Sequence, residues 1–194
     1  MFESTTYRVT IRGESPIQFS RYHMTPKIDA NEAPGDYDDR TWREKAHTGP
    51  NGNIIIPANA LMTFIRTTAQ RLGMKLKGQK TFGKVFAGGF MIVDGMDLGV
   101  TPDALKPNRV YVNSDGVRGS GKRVWRTFPM LHDWGGSFTI DVFRTEITED
   151  ILREHIEWGL AFVGMGSFRP ENGNIFGRGS LVSLKNISKK VKAA

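Results

Sequence analysis

Pro57-Ala-Asn-Ala-Leu-Met-Thr-Phe-Ile-Arg-Thr-Thr-Ala-Gln-Arg-Leu-Gly73 is the stretch on which the fold turns. Leu61, Phe64, Ile65, Thr68 and Leu72 recur at helical spacing and share one face, while Thr63, Arg66, Thr67, Gln70 and Arg71 fall mostly on the other. Proline is favoured at a helix start and glycine just past its end, so the spacing predicts an amphipathic helix bounded by Pro57 and Gly73. A second helix is predicted after Thr148, a good N-cap followed by Glu149 and Asp150, with Leu152, Ile156, Gly159, Leu160 and Val163 as its apolar stripe and Gly164 as its stop.

Strands flank both helices. Tyr7-Arg-Val-Thr-Ile-Arg12 and Ser137-Phe-Thr-Ile-Asp-Val-Phe-Arg144 alternate apolar and polar residues, as half-buried strands do. Phe90–Val93, Arg109–Val112 and Arg178–Ile187 are shorter strand candidates. The resulting order predicts an α+β fold with a ferredoxin-like, RRM-like β-α-β-β-α-β core. Residues 1–194 then form one domain, with long inserted loops or hairpins at about 14–50, 74–89 and 113–133. Two helices would cover one face of the sheet and leave the other for the insertions or a ligand.

The formal net charge of +7 is unevenly placed. No acid occurs between Glu44 and Asp94, a stretch that holds Lys45, Arg66, Arg71, Lys75, Lys77, Lys80 and Lys84. A second acid-free run, 116–132, holds Arg118, Lys122, Arg123 and Arg126, whereas 29–39 is acidic. Segregated positive charge attracts a polyanion. Phe82, Phe86, Trp125 and Phe128 lie among these cations. Aromatic faces stack on the exposed bases of single strands, and Lys and Arg neutralise phosphates, so the pattern favours an unpaired strand over a duplex. Arg21, in the alternating stretch Pro16–Tyr22, joins the set. Each aromatic also has a purely structural reading, as an anchor folding its insertion onto the sheet.

Gly164-Met-Gly-Ser-Phe-Arg-Pro-Glu-Asn-Gly-Asn-Ile-Phe-Gly-Arg-Gly179 lies between a helix end and a strand. Its glycines permit close backbone approach, its N–H groups can cradle an anionic oxygen, and Arg169 and Arg178 can fork onto phosphate. The alternative is a rigid connector packed tightly by its glycines.

Ile55-Ile-Pro-Ala-Asn-Ala-Leu-Met-Thr-Phe-Ile-Arg66 resembles the helix start of RAMP proteins, the RNA-binding subunits of CRISPR complexes, and Gly164–Gly179 is similar to their glycine-rich loop. Small uncharacterised phage proteins are also similar, through Arg118-Gly-Ser-Gly-Lys-Arg123 and Phe168-Arg-Pro-Glu-Asn-Gly173. The resemblance covers most of the chain as topology and about thirty residues as motif. It implies single-stranded nucleic-acid binding and places Pro57, Asn59, Arg66, Gly164, Gly166, Arg169, Gly173, Gly177 and Arg178 at the family's landmarks. It also implies a homo-oligomer or filament along the strand, or a place among CRISPR-type complex subunits. Asn59 departs from the usual serine, and 194 residues is short for a full backbone subunit.

Other classes find less support. The chain has no Cys, which removes disulfides, thiolate metal sites and thiol nucleophiles. It lacks both a signal-peptide pattern and an 18-residue apolar run, so a cytoplasmic protein of a bacterium or phage-infected host is expected, with no membrane, cofactor or metal. His23 and Asp29 follow the first strand, where some RAMP endoribonucleases carry a catalytic group, yet no motif secures either residue. A phage protein that mimics and inhibits a CRISPR subunit is a third reading.

Overall fold

The computed structural model describes residues 4–76, 78, 80–114, 119 and 121–188. Its central antiparallel sheet is built from β1 (Thr5–Gly13), β5 (Phe90–Met91), β9 (Gly135–Val142) and β10 (Gly179–Asn186), in the order β10-β1-β9-β5. With α2 (Ala58–Leu72) between β1 and β5 and α4 (Glu149–Phe162) between β9 and β10, these elements make the expected β-α-β-β-α-β core. Pro57 caps α2 in an extended conformation, and Gly73 ends it with a left-handed φ of 62°. The Thr148 hydroxyl caps α4 by accepting from the Ile151 N–H at 3.4 Å.

Alternation along the strands decides what each face does. Tyr7, Val9 and Ile11 of β1, Phe138, Ile140 and Val142 of β9 and Leu184 of β10 are buried with Leu61, Phe64 and Ile65 of α2 and Leu152, Ile156 and Leu160 of α4. Each such side chain contributes about 1.5–3 kcal/mol of burial. The two helices meet at Gly159, where an added Cβ would collide with the Thr68 hydroxyl and stand 2.8 Å from the Phe64 ring.

The opposite face is polar. Arg8 lies directly across from Lys185 and Thr139, and Thr10 from Ser183 and Ser137. Hydroxyls bridge it, Thr10 with Ser137 at 2.8 Å and Thr6 with Asp141 at 2.6 Å. Among the described strand residues this face carries no aromatic ring, so the sheet itself offers nothing for a base to stack on.

The insertions are more structured than their sequence suggests. Residues 14–57 hold β2 (Ile17–Gln18), α1 (Pro34–Thr41), a 3-10 turn (Trp42–Lys45), β3 (His47–Thr48) and β4 (Ile54–Ile56). Strand β4 pairs with β3 on one side and with β6 (Met96–Asp97) on the other, making a small sheet in the order β3-β4-β6. The expected short strand Arg109–Val112 falls within β7 (Lys106–Asn113), which pairs over its whole length with β8 (Arg123–Leu131) in a hairpin outside the central sheet. Strand β2 adds to β8, giving the order β2-β8-β7.

Segment 74–89, expected as a projecting loop or hairpin, opens with an antiparallel bridge between Lys75 and Thr81 and then turns into the core. Phe82–Phe86 forms a short helix, α3, and both its phenylalanines are core residues. Their rings flank His155 of α4, with centroids 5.6 Å and 4.6 Å away. The His155 Nδ1–H donates to the Ile151 carbonyl at 2.7 Å, and burial lowers the imidazole pKa, which keeps it neutral. Phe82 and Phe86 are therefore unavailable for base stacking.

Replacing Gly159 with Ala should destabilise the fold by about 1–2 kcal/mol, since crowding of α2 against α4 outweighs the gain in helix propensity. Urea unfolding followed by tryptophan fluorescence measures this, and an equal or higher midpoint would show that the helix crossing has slack.

Candidate nucleic-acid interface

A cleft of about 220 Å³ opens where the start of α2 meets the glycine-rich loop. Ile55, Ile56, Pro57 and Ala60 form one wall and Gly166 and Ser167 another, while Phe19, Arg21, Lys45 and His47 close it from the 14–57 insertion. The two landmarks that are distant in sequence thus face each other. Gly166 has φ 76°, and a Cβ there would strike the Gln18 carbonyl, so only glycine lets the loop lie on β2. His47 is held below the ordinary histidine pKa of about 6.5, first by burial and then by the positive charge of Arg21.

The loop is not the open N–H cradle that its composition suggests. The amides of Gly164, Met165, Ser167 and Gly177 donate to the carbonyls of Gly159, Gly177, Gln18 and Pro16. Arg169 pairs with Glu171 at 2.8 Å, and Arg178 donates to the Ala161 carbonyl. Burial opposes ionisation of Glu171, but hydrogen bonds from Arg169 and Arg71 outweigh it and hold that carboxyl below its usual range. The rigid-connector alternative describes most of this segment, and the Gly166–Ser167 turn is the part of it that lines the cleft.

A second surface lies on the hairpin. Tyr111 and Trp125 are directly opposite each other in register, with ring centroids 5.2 Å apart. The Arg109 guanidinium lies 5.6 Å from the Trp125 ring and that of Arg123 lies 4.8 Å from Tyr111, which produces a cation-ring-ring-cation row. Trp125 is 53% and Tyr111 45% exposed, so each ring keeps area open to solvent.

Lys45 connects cleft and hairpin. Its ammonium donates to Asp38 at 2.5 Å and to the Thr127 carbonyl at 2.6 Å, and it stands 4.7 Å from the Phe128 ring centroid. Asp38 also accepts from the Thr127 N–H and lies 3.8 Å from Arg126. Asp39 accepts from the Thr127 hydroxyl at 2.8 Å and lies 3.8 Å from Arg109. The acidic insertion therefore folds onto the basic hairpin and neutralises part of it.

The remaining sequence candidates scatter. Lys75, Lys80 and Lys84 are exposed beyond the C-terminal end of α2, about 20 Å of helix from the cleft at its start. Arg66 turns toward β5, with its guanidinium 5.7 Å from the Phe90 ring. Lys122 is exposed near the end of the hairpin. Lys77 and Arg118 lie outside the described residues. His23 stacks on Tyr37 and bonds Thr25, whereas Asp29 accepts from the Asn31 N–H. Both of the latter are occupied locally and share no contact. Among the described residues, no three His, Asp or Glu side chains converge as a metal-ligand set. Sequence reasoning missed Arg109, Tyr111 and His47. Alternation in Arg109–Val112 facing alternation in Val124–Phe128 was the available signal for the first two.

Compared with known proteins, the sequence matches no protein-family model and no curated protein. Its structure resembles a chain of the Type III-B Cmr-beta bound to cognate target RNA, solved by cryo-EM, with TM-score 0.57 and 13% identity over 94% of this chain. The chain shares its fold with that Cmr-beta chain. The chain spans 60% of the length of that Cmr-beta chain. Cmr6 from Pyrococcus furiosus is also similar, at TM-score 0.48 and 11% identity, with 93% of this chain and all of that one covered. At these identities the likeness is one of fold. No helix among the described residues is long and apolar enough to cross a membrane.

Changing Lys45 to Met should cost about 3 kcal/mol, because it removes the ammonium that pairs with the buried Asp38 carboxylate. Adding Asp38→Leu should restore most of that loss. Denaturant unfolding of the single and double variants checks this, and equal destabilisation by both would show that the pair is not coupled.

Proposed function

We propose that this chain is a non-catalytic protein that binds single-stranded nucleic acid, RNA or DNA, with weak sequence preference and copies assembling side by side along the strand. The carrying observation is the Arg109–Trp125–Tyr111–Arg123 row. Half-exposed rings flanked by guanidinium groups match what an unpaired base and its phosphates require, and a duplex would hide the base faces. The cleft supplies the second element of this reading, with Arg21 beside the start of a helix that has no acid in its first turn. The Cmr-beta structure that shares the fold is bound to target RNA, which agrees with this reading. Rings and phosphate-binding cations read no unique donor pattern, hence the weak sequence preference.

The direct test is titration of a fluorescent single-stranded oligonucleotide at several salt concentrations. Trp125→Ala should weaken binding about tenfold, within the range for one lost stacking contact, and leave the salt slope nearly unchanged. Arg123→Ala should lower both affinity and slope. Unaltered affinity in both variants would remove the hairpin from the interface.

A phosphate bound in the cleft would raise the depressed pKa of His47, so binding would take up a proton. Affinity should therefore rise as pH falls through the bound-state pKa of His47 toward its depressed free value, and His47→Gln should flatten that rise. A pH profile identical in both proteins would place the phosphate elsewhere.

A further inference from the structure

Phe168 is the one non-glycine among the described residues with a left-handed backbone, at φ 53°. A side chain is strained there and glycine is not, and the surrounding loop already uses glycine at 164, 166, 173 and 177 for the same purpose. A ring kept at such a position needs a use. Core packing does not provide one, because neither Phe168 nor its neighbour Phe128 belongs to the buried core or to the side chains packed against it. Both rings are half-buried and meet edge to face at 5.5 Å. Ser167 and Gly166, immediately before Phe168, line the cleft, and Lys45, which also lines it, stands over Phe128.

We infer that Phe168, with Phe128 beside it, forms a subsite for one unpaired base whose phosphate occupies the adjoining cleft near Arg21. The inference rests on the nucleic-acid reading above and deepens it. Strain at Phe168 persists because the ring serves the ligand, in the way that unfavourable backbone conformations collect at binding sites. This subsite is separate from the Trp125 row, which lies three residues and about 10 Å further along β8. The chain would thus engage bases at two places and a backbone phosphate at the cleft.

The test uses the full chain with two variants, Phe168→Leu and Phe168→Gly, and two probes, a fluorescein-labelled oligouridylate and an abasic strand of equal length. Phe168→Leu keeps apolar bulk without a stacking face, and should lose about tenfold in affinity for oligouridylate with little change for the abasic strand. Phe168→Gly should show the same loss and a thermal midpoint equal to or above that of the unaltered protein, since the strain is relieved. Wild-type affinity in Phe168→Leu, or a lowered midpoint in Phe168→Gly, overturns the inference. Failure of the unaltered chain to bind either probe would instead overturn the nucleic-acid reading.

Discussion

One buried cation organises the working surface. Lys45 sits between a carboxylate on α1, a carbonyl on β8 and the face of Phe128, and so joins segments 82 residues apart in sequence. In energy alone such a pair does little better than apolar residues would, since desolvation offsets most of the attraction. Its value is directional. An ammonium that must satisfy two oxygens and a ring holds the hairpin at one angle to the cleft, and a greasy contact would let it slide. The Asp38 contact to the Thr127 backbone N–H adds a second constraint along the edge of β8.

The core was legible in the sequence because its signals are local. Apolar spacing from Leu61 to Leu72, the Thr148 cap and the alternation of Tyr7–Arg12 and Ser137–Arg144 each depend on residues within one element, and each element formed as its own chemistry required. The hairpin was half legible. Strand β7 was visible as Arg109–Val112, but its partner carries Arg123, Arg126 and Pro129, which weakened the strand signal and left the choice between loop and hairpin open. Phe82 and Phe86 were misplaced because a five-residue helix has too few residues to show a period, and His155, the group they pack on, lies some seventy residues away.

The charge pattern shows why composition locates a site poorly. Lys45 counted toward the basic segment but is neutralised by Asp38, and Arg169 is engaged by Glu171. Acids and bases that are segregated along the chain are brought together by folding, and exposed Lys75, Lys80 and Lys84 are left at the end of α2 remote from the cleft. Those lysines add to a long-range field, which falls off within a Debye length, whereas the proposed short contacts to a ligand lie at the cleft and hairpin.

An RRM-type surface stacks bases on aromatic residues of its central strands. Here β1 presents Arg8 and Thr10 on its open face and turns its one ring, Tyr7, into the core. Two ring pairs lie instead outside the central sheet, Tyr111–Trp125 on the hairpin and Phe128–Phe168 beside the cleft. The sheet then supplies rigidity and a fixed start for α2, and the glycines of the 164–179 loop supply close packing against β2 in place of an anion cradle. Because the hairpin is tied to the 14–57 insertion through Asp38 and Lys45, the proposed stacking row on the hairpin and the folding of that insertion are coupled.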